Sequence, residues 1–295
     1  MSSLALFAES VGASGPVTIA GLSTRGGAVV GPRPVTAPAG VRWHQADEMT
    51  VCCGAATPVD ELQAALAGSR QTVALPSGGT VGGALAVGLS GVRRLGDGPV
   101  RDALLQAEYV SAAGEIVKAG GPTVKNVSGF DLCRLLVGSR GTLGFLGEVI
   151  LRTRPIPAVS HWFVTEASDP SAVFTRLYRP TSVLWDGRQV WALLEGHPAD
   201  VREQSVGFTE CDGPPTLFPV RAAVRPSSVV SLADPAAGLV GSFVAEVGVG
   251  TVHLAAGAQL PSALVVSRPE RATALAHAMK MEFDPTGRLN PGVDV

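Results

Sequence analysis

The apolar positions of the first half fall into short runs closed by glycine or proline, a pattern that predicts strands joined by tight loops. Val17–Ala20 reads as a strand that ends at Gly21 and opens into the polar loop Ser23-Thr24-Arg25-Gly26-Gly27. Met49–Cys53 predicts a second strand. Thr57-Pro58-Val59-Asp60 is a helix start, with Thr57 as N-cap, Pro58 at the first helical position and an acid in the first turn. Leu62 and Leu66 then share one face, and Gly68 ends the helix. Thr72–Leu75 predicts a strand that runs into Pro76-Ser77-Gly78-Gly79-Thr80-Val81-Gly82-Gly83, followed by the small-residue run Ala84–Val87. Leu104–Ser111 and Glu115–Lys118 predict a hairpin turning at Ala112–Gly114. Asp131 is positioned to cap a short helix carrying Leu132, Leu135 and Leu136 and closed by Gly138. Leu143–Arg152 predicts a strand, and Pro155 and Pro157 then interrupt regular structure.

The second half alternates more loosely. Strands are expected at Trp162–Thr165, Ser182–Trp185, Val190–Leu194, Val229–Leu232 and Gly241–Val247, and helices at Asp169–Leu177 and Pro198–Val206. A last helix is expected at Glu270–Met281. The mixture predicts an α+β fold. The domains expected are 1–156, a smaller domain at 157–278, and a tail at 279–295.

Composition narrows the picture. Apolar residues are 46% of the 295, enough for a sizeable core, and charged residues only 16%. A net charge of −2 provides no general attraction to nucleic acid or anionic lipid. An anion would therefore be bound locally, by backbone amides. The four cysteines have neither metal-type spacing nor the look of a disulfide framework, which fits a reduced, cytoplasmic setting. The first nine residues lack the basic segment of a signal peptide. The longest apolar candidate, Ala236–Leu260, contains Glu246 and His253, so no membrane insertion is expected.

Three loops could carry chemistry. Pro76–Gly83 lies between a strand and a run of small residues. If that run is helical, its first amides face the loop and make an anion site; a plain glycine turn fits the segment equally well. Gly21–Arg25 sets hydroxyls and an arginine beside glycine, and by itself is more often a surface turn. Gly138-Ser139-Arg140-Gly141-Thr142-Leu143-Gly144 follows the short helix after Lys125-Asn126-Val127-Ser128-Gly129-Phe130-Asp131.

The order of these segments resembles the FAD-binding domain of the vanillyl-alcohol oxidase, or PCMH-type, flavoprotein superfamily. The resemblance runs through Val51–Ala55, the Asp60–Leu66 helix, Leu75-Pro76 and Thr80–Ala86. It continues in Arg101-Asp102, Lys125-Asn126…Gly129…Asp131-Leu132…Leu136, Gly138-Ser139…Gly141–Gly144 and Asp284-Pro285…Gly287…Leu289–Gly292. Ile19…Gly21…Ser23-Thr24-Arg25 and Gly88–Gly91…Arg93-Arg94 are most similar to the FAD-binding subunits of bacterial glycolate oxidase, the GlcE type. The resemblance implies a PCMH-type FAD-binding domain of two subdomains, a smaller α+β cap, and a tail returning to the flavin. It implies that Gly21, Ser23, Thr24 and Arg25 line one side of the diphosphate. Pro76, Ser77, Gly78, Gly79, Thr80, Val81, Gly82 and Gly83 would form the opposing loop. Gly88, Ser90 and Gly91 would lie near the ribityl chain and flavin, and Arg101 and Asp102 near the isoalloxazine. Gly138, Ser139, Gly141, Thr142 and Gly144 would face the adenosine half, and Asn290 the flavin ring.

Leu22 departs from the small or polar residue common in that loop. Ala28 stands where several relatives carry the histidine that attaches FAD, and the nearest histidine is His44, so FAD is expected to be non-covalent. The five histidines, His44, His161, His197, His253 and His277, have no metal-ligand spacing, and no metal is expected. His253 is a weak candidate for a base, and more often such a residue is an ordinary strand or loop histidine. Arg93 and Arg94 could attract a substrate carboxylate or a partner, or be a solvated pair. Trp162, Trp185 and Trp191 are expected in the core. The resemblance implies an FAD-dependent subunit working beside a catalytic flavoprotein subunit and an iron–sulfur subunit to oxidise glycolate, a 2-hydroxy acid, to glyoxylate, with any membrane association through those partners. The alternatives are a stand-alone FAD-dependent dehydrogenase of another 2-hydroxy acid or alcohol, and a non-redox scaffold.

Overall fold

A computed structural model of the chain describes residues 1–26, 28–122, 131–267 and 269–294. Gly27 and the Lys125–Phe130 stretch of the third motif therefore lie outside the described residues. The fold is mixed α+β and forms two compact units. One comprises Met1–Gly91, Pro99–Ile156 and Pro269–Val295; the other comprises Val92–Gly98 and Pro157–Arg268. The C-terminal segment that packs with the first unit thus begins at Pro269, against residue 279 in the sequence reading.

The first unit opens with α1 (Ser3–Val11), which the sequence reading did not anticipate. The Ser2 hydroxyl caps it by accepting from the Ala5 amide at 3.2 Å, and Leu4, Phe7, Ala8 and Val11 bury one face at helical spacing. β1 (Val17–Ile19) pairs in parallel with β2 (Arg33–Val35). Then come β3 (Val41–Gln45), β4 (Thr50–Gly54), α2 (Val59–Ala67), β5 (Gln71–Val73) and α3 (Val81–Val87). The Thr57 hydroxyl does not cap α2. It donates to the Gly54 carbonyl at 2.6 Å and accepts from the Gly40 amide at 2.8 Å, so Pro58 occupies the cap position.

A 3-10 turn at Val100–Ala103 leads into the hairpin β6 (Leu104–Val110) and β7 (Ile116–Gly120). Asp131 caps α5 (Leu132–Leu136) by accepting from the Arg134 amide at 3.2 Å, as expected. β8 (Phe145–Pro155) is the spine of a six-stranded antiparallel sheet of order β3-β4-β8-β6-β7, with β5 paired to the end of β8. Pro155 does not interrupt the strand; it is the last residue of β8, opposite Gln71 of β5. Leu62, Leu66, Leu85, Leu136, Phe145 and Leu151 are fully buried in one core. α8 (Glu270–Phe283) closes the unit.

In the second unit, β9 (Val159–Glu166), β10 (Ser182–Trp185), β11 (Gln189–Gly196), β12 (Thr209–Cys211), β13 (Val220–Ala223), β14 (Phe243–Glu246) and β15 (Thr251–Leu254) form an antiparallel sheet of order β12-β9-β11-β10-β14-β15-β13. The remaining helices are α4 (Arg94–Asp97), α6 (Pro170–Arg176) and α7 (Pro198–Gln204). One sheet face buries Trp185, Val190, Ala192, Leu194, Phe243 and Ala245. Trp185 packs edge-on to Phe243 and donates its indole N–H to the Ala167 carbonyl at 2.9 Å; Trp162 and Trp191 are half-buried. The strand expected at Val229–Leu232 is instead part of a 3-10 helix, Pro226–Ala233. Pro226 presets its first turn, and Val229 and Leu232, three apart, bury the same side. Among the described residues no helix is long and apolar enough to cross a membrane.

Candidate functional site

The loop at Pro76–Gly83 connects β5 to α3 through two consecutive left-handed glycines, Gly78 at φ 71° and Gly79 at φ 69°. A side chain is tolerated at neither backbone conformation without strain. At Gly79 a Cβ would also collide with Arg25 Nη1 and Thr24 Oγ1, whereas the side of Gly78 where a Cβ would stand is open space. Thr80 caps α3 by accepting from the Gly83 amide at 3.1 Å.

The helix amides themselves are not available to an anion. Val81 donates to the Thr57 carbonyl at 2.9 Å and Gly82 to the Ala55 carbonyl at 2.7 Å. This corrects the expectation that the first turn of α3 faces the loop as donors: those N–H groups lock α3 onto the turn before α2. The donors left over are in the loop proper. Among the described residues the amides of Ser77, Gly79 and Thr80 make no hydrogen bond to protein, while the Gly78 amide bonds Asp60 Oδ1 at 3.1 Å.

The loop after β1 meets the second loop through Arg25. Its guanidinium donates to the carbonyls of Gly78 at 2.7 Å, Ser77 at 2.8 Å and Pro76 at 3.0 Å. Burial lowers its pKa from the usual arginine value, and Asp60 acts the other way. Ser23 takes φ 54°, an uncommon conformation outside glycine, and Leu22 is exposed.

Gly88 ends α3 in the left-handed conformation, φ 68°, and a Cβ there would lie 2.9 Å from Gly138 Cα. The third loop docks at this point. The Gly138 amide donates to the Leu85 carbonyl at 3.0 Å and the Arg140 amide to Ala86 at 2.8 Å, satisfying the end of α3. Ser139 and Thr142 are buried, and their hydroxyls donate to the Leu136 and Ser139 carbonyls at 2.8 and 2.7 Å. Gly141 packs against Asn290 and Phe145, and Gly144 against Tyr109. Ser90 Oγ accepts from the Val100 amide at 3.1 Å, and Gly91 approaches Pro76. Arg101 and Asp102 are exposed on the following 3-10 turn, where the Asp102 carboxylate has Arg101 and Arg134 at 3.8 and 4.0 Å.

Asn290 returns to this region at φ 44°. Its side-chain oxygen accepts from the Ile19 amide at 3.1 Å and its Nδ2 donates to the Arg140 carbonyl at 2.7 Å. The residues that anchor it were missed by the sequence reading. The buried Asp284 carboxylate accepts from Lys280 Nζ at 2.6 Å and from the Leu289 and Arg288 amides at 2.8 and 3.0 Å. Burial works against its ionisation, but the Lys280 contact and the two amides outweigh this and hold the carboxyl below its usual value. Arg288 inserts its guanidinium among the carbonyls of Val11, Gly12, Ser14, Gly15 and Ala112, at 2.8–3.1 Å. Val11 and Gly12 lie at the negative end of α1. The signal that could have found these residues was a charged residue of each sign inside an apolar, glycine-rich tail.

In the second unit His253 and Glu246 are buried on neighbouring strands, with Nε2 and Oε1 3.0 Å apart. Among the described residues Glu246 Oε2 has no hydrogen-bond partner. Arg221 is 3.7 Å from the same carboxylate. Arg93 is part-exposed, but its guanidinium is already paired with acids. It binds Glu195 through its two terminal nitrogens at 2.9 and 2.8 Å, and Asp97 through Nε at 3.0 Å. An open depression of about 790 Å³ at Glu166–Ser168 and Asp186–Gln189 includes none of the expected site residues. Among the described residues no cluster could hold a metal ion. Burial pushes the thiols of Cys52 and Cys133 up to about 11 and that of Cys53 up to about 12, so none is a thiolate at neutral pH.

Residues 11–120 match the protein family described as FAD binding domain, a span that takes in the first two loops, Gly88–Gly91 and Arg101-Asp102, and ends before the third loop. The chain is 35% identical over 188 residues to the glycolate oxidase subunit GlcE of Escherichia coli (strain K12), covering 58% of this chain and 54% of that one. It is 38% identical over 115 residues to D-lactate dehydrogenase of Archaeoglobus fulgidus, covering 37% of this chain and 26% of that one. It is 44% identical over 78 residues to the glycolate oxidase subunit GlcD of Bacillus subtilis (strain 168), covering 26% and 17%. The chain thus spans about half or less of the length of these relatives. In fold, a solved alkyldihydroxyacetonephosphate synthase superposes with a TM-score of 0.67 at 14% identity, covering 98% of this chain and 74% of that one.

Proposed function

We propose, from the premise that residues 11–120 of this chain carry an FAD-binding domain of the PCMH type, that the protein is a non-covalent FAD-binding subunit of an oxidoreductase acting on a small 2-hydroxy acid. The observation that carries the proposal is the glycine cradle between Arg25 and Thr80. The three loop amides of Ser77, Gly79 and Thr80 lack protein partners among the described residues, and the exposed side of Gly78 is open. Unpaired amides beside glycine backbone suit a diphosphate. The residues fit the cofactor on that ground.

In this reading Gly21, Ser23, Thr24 and the Pro76–Gly83 loop hold the diphosphate. Gly88, Ser90, Gly91, Arg101 and Asp102 serve the flavin end, and Gly138–Gly144 the adenosine end. FAD, when bound, supplies hydride and electron transfer; the chain supplies orientation and electrostatics. The similarity to glycolate oxidase subunits GlcE and GlcD supports glycolate as the substrate and other glycolate oxidase subunits as partners; that these are a catalytic flavoprotein subunit and an iron–sulfur subunit is what the resemblance of the sequence implies. A cytoplasmic location goes with that assembly.

The buried His253–Glu246 pair favours a second reading, in which the chain oxidises a 2-hydroxy acid unaided. With Nε2 donating to Glu246, Nδ1 of His253 is left as a proton acceptor. Anaerobic addition of glycolate or D-lactate to the FAD-loaded chain separates the two. The partner-dependent reading expects the flavin to stay yellow until the other subunits are added and then to bleach. Bleaching of the chain alone, abolished in His253→Gln, would establish the second reading. Flavin that never bleaches in the assembled complex contradicts both.

A further inference from the structure

The three loops of the candidate site are braced in a closed ring. Arg25 ties the first loop to the second through the carbonyls of Pro76, Ser77 and Gly78. α3 carries the second loop to the third, because the Gly138 and Arg140 amides cap its last carbonyls. One connection remains, from the third loop back to the first, and Asn290 makes it. Its Nδ2 holds the Arg140 carbonyl at 2.7 Å and its oxygen holds the Ile19 amide, two residues before Gly21, at 3.1 Å. Its own amide bonds the Val17 carbonyl at 2.9 Å. Each end of the side-chain amide is therefore already held by a backbone partner.

We infer that Asn290 is a positioning residue, the clasp that fixes the spacing between the first and third loops and through it the affinity for FAD, rather than a contact to the flavin ring. Asparagine suits the place on two counts: it tolerates the left-handed φ of 44°, and it offers one donor and one acceptor in the same plane. Lys280, Asp284 and Arg288 hold the clasp in place from behind. The inference rests on the FAD-binding reading above.

The test uses the full chain and two variants. Asn290→Gly keeps the backbone conformation and removes both side-chain bonds. Asn290→Asp keeps the acceptor for Ile19 and loses the donor to Arg140. The FAD dissociation constant is measured in the cold, well below the melting temperature, together with the visible spectrum of the bound flavin. Leu232→Ala, in the core of the second unit, serves as a control for general destabilisation. The expected result is about tenfold weaker FAD binding for Asn290→Gly and a loss at least as large for Asn290→Asp, whose carboxylate oxygen would face the Arg140 carbonyl. The spectrum of bound flavin should be unchanged, and Leu232→Ala should bind as wild type. Unchanged affinity in Asn290→Gly would overturn the inference, as would a shifted flavin spectrum at unchanged affinity, the mark of a ring contact. Affinity lost equally in Leu232→Ala would also overturn it, by showing that the loss follows stability alone. Wild-type chain that fails to bind FAD would instead sink the reading on which the inference rests.

Discussion

Gly79 has no room for a side chain, because the adjacent Arg25 guanidinium and Thr24 hydroxyl fill the space and its φ is positive. Gly79→Ala is expected to destabilise the fold by about 1–2 kcal/mol from the backbone conformation alone. It should also weaken FAD binding, because the arginine must leave its three carbonyls. A melting curve and a flavin titration check both, and wild-type values in each would contradict the role assigned to this loop. Arg25 makes the same point from the other side. The sequence set it beside glycine as a phosphate ligand, and its guanidinium is bonded to loop carbonyls instead. The residue type was legible; its partners were not, since they come from about 50 positions away and depend on how the second loop turns.

Two elements hold their places by charge. In the tail, Asp284 is fully buried and its carboxyl is held below its usual value, its burial outweighed by Lys280 and two amides. In the second unit Glu195 behaves similarly: burial opposes ionisation, but Arg93, Ser160 and Thr181 lower its pKa. A depressed native pKa means that the folded state binds fewer protons than the unfolded state around pH 4, where such carboxyls ordinarily titrate. The stabilisation is complete above the unfolded value and is lost as pH falls through the native values. Melting temperature should therefore drop steeply below about pH 4, and the drop should be shallower in Asp284→Asn. An unaltered acid limb in that variant would remove Asp284 from the account. Lys280→Met leaves the carboxylate buried without its cation and is expected to cost about 3 kcal/mol, read as a lowered denaturant midpoint. The helix α8 that delivers Lys280 was legible from its composition; the ion pair between its last turn and the following Asp284 was not, because an i,i+4 pair is usually solvent-exposed.

At the scale of the whole molecule, turn chemistry made the first unit readable. Proline, glycine and capping residues punctuate each of its predicted elements from β4 to α5. The second unit was read less well. Its edge strands β12 and β13 are three and four residues long and largely exposed, so they have no apolar alternation. The β-branched run at Val229 became a 3-10 helix once Pro226 set the backbone. α1 was passed over because its apolar residues were weighed as a leader and not as one face of a helix. What the sequence could not convey was the ring of side-chain-to-backbone bonds that joins the three loops, one link of which, Asn290 to Ile19, spans 271 positions. The central claim, that these loops hold FAD without a covalent link, is tested most directly by purifying the chain, recording its visible spectrum, denaturing it and weighing the flavin in the supernatant. The account predicts a yellow protein that releases intact FAD, about one per chain. A chain that stays colourless after FAD is supplied would contradict it.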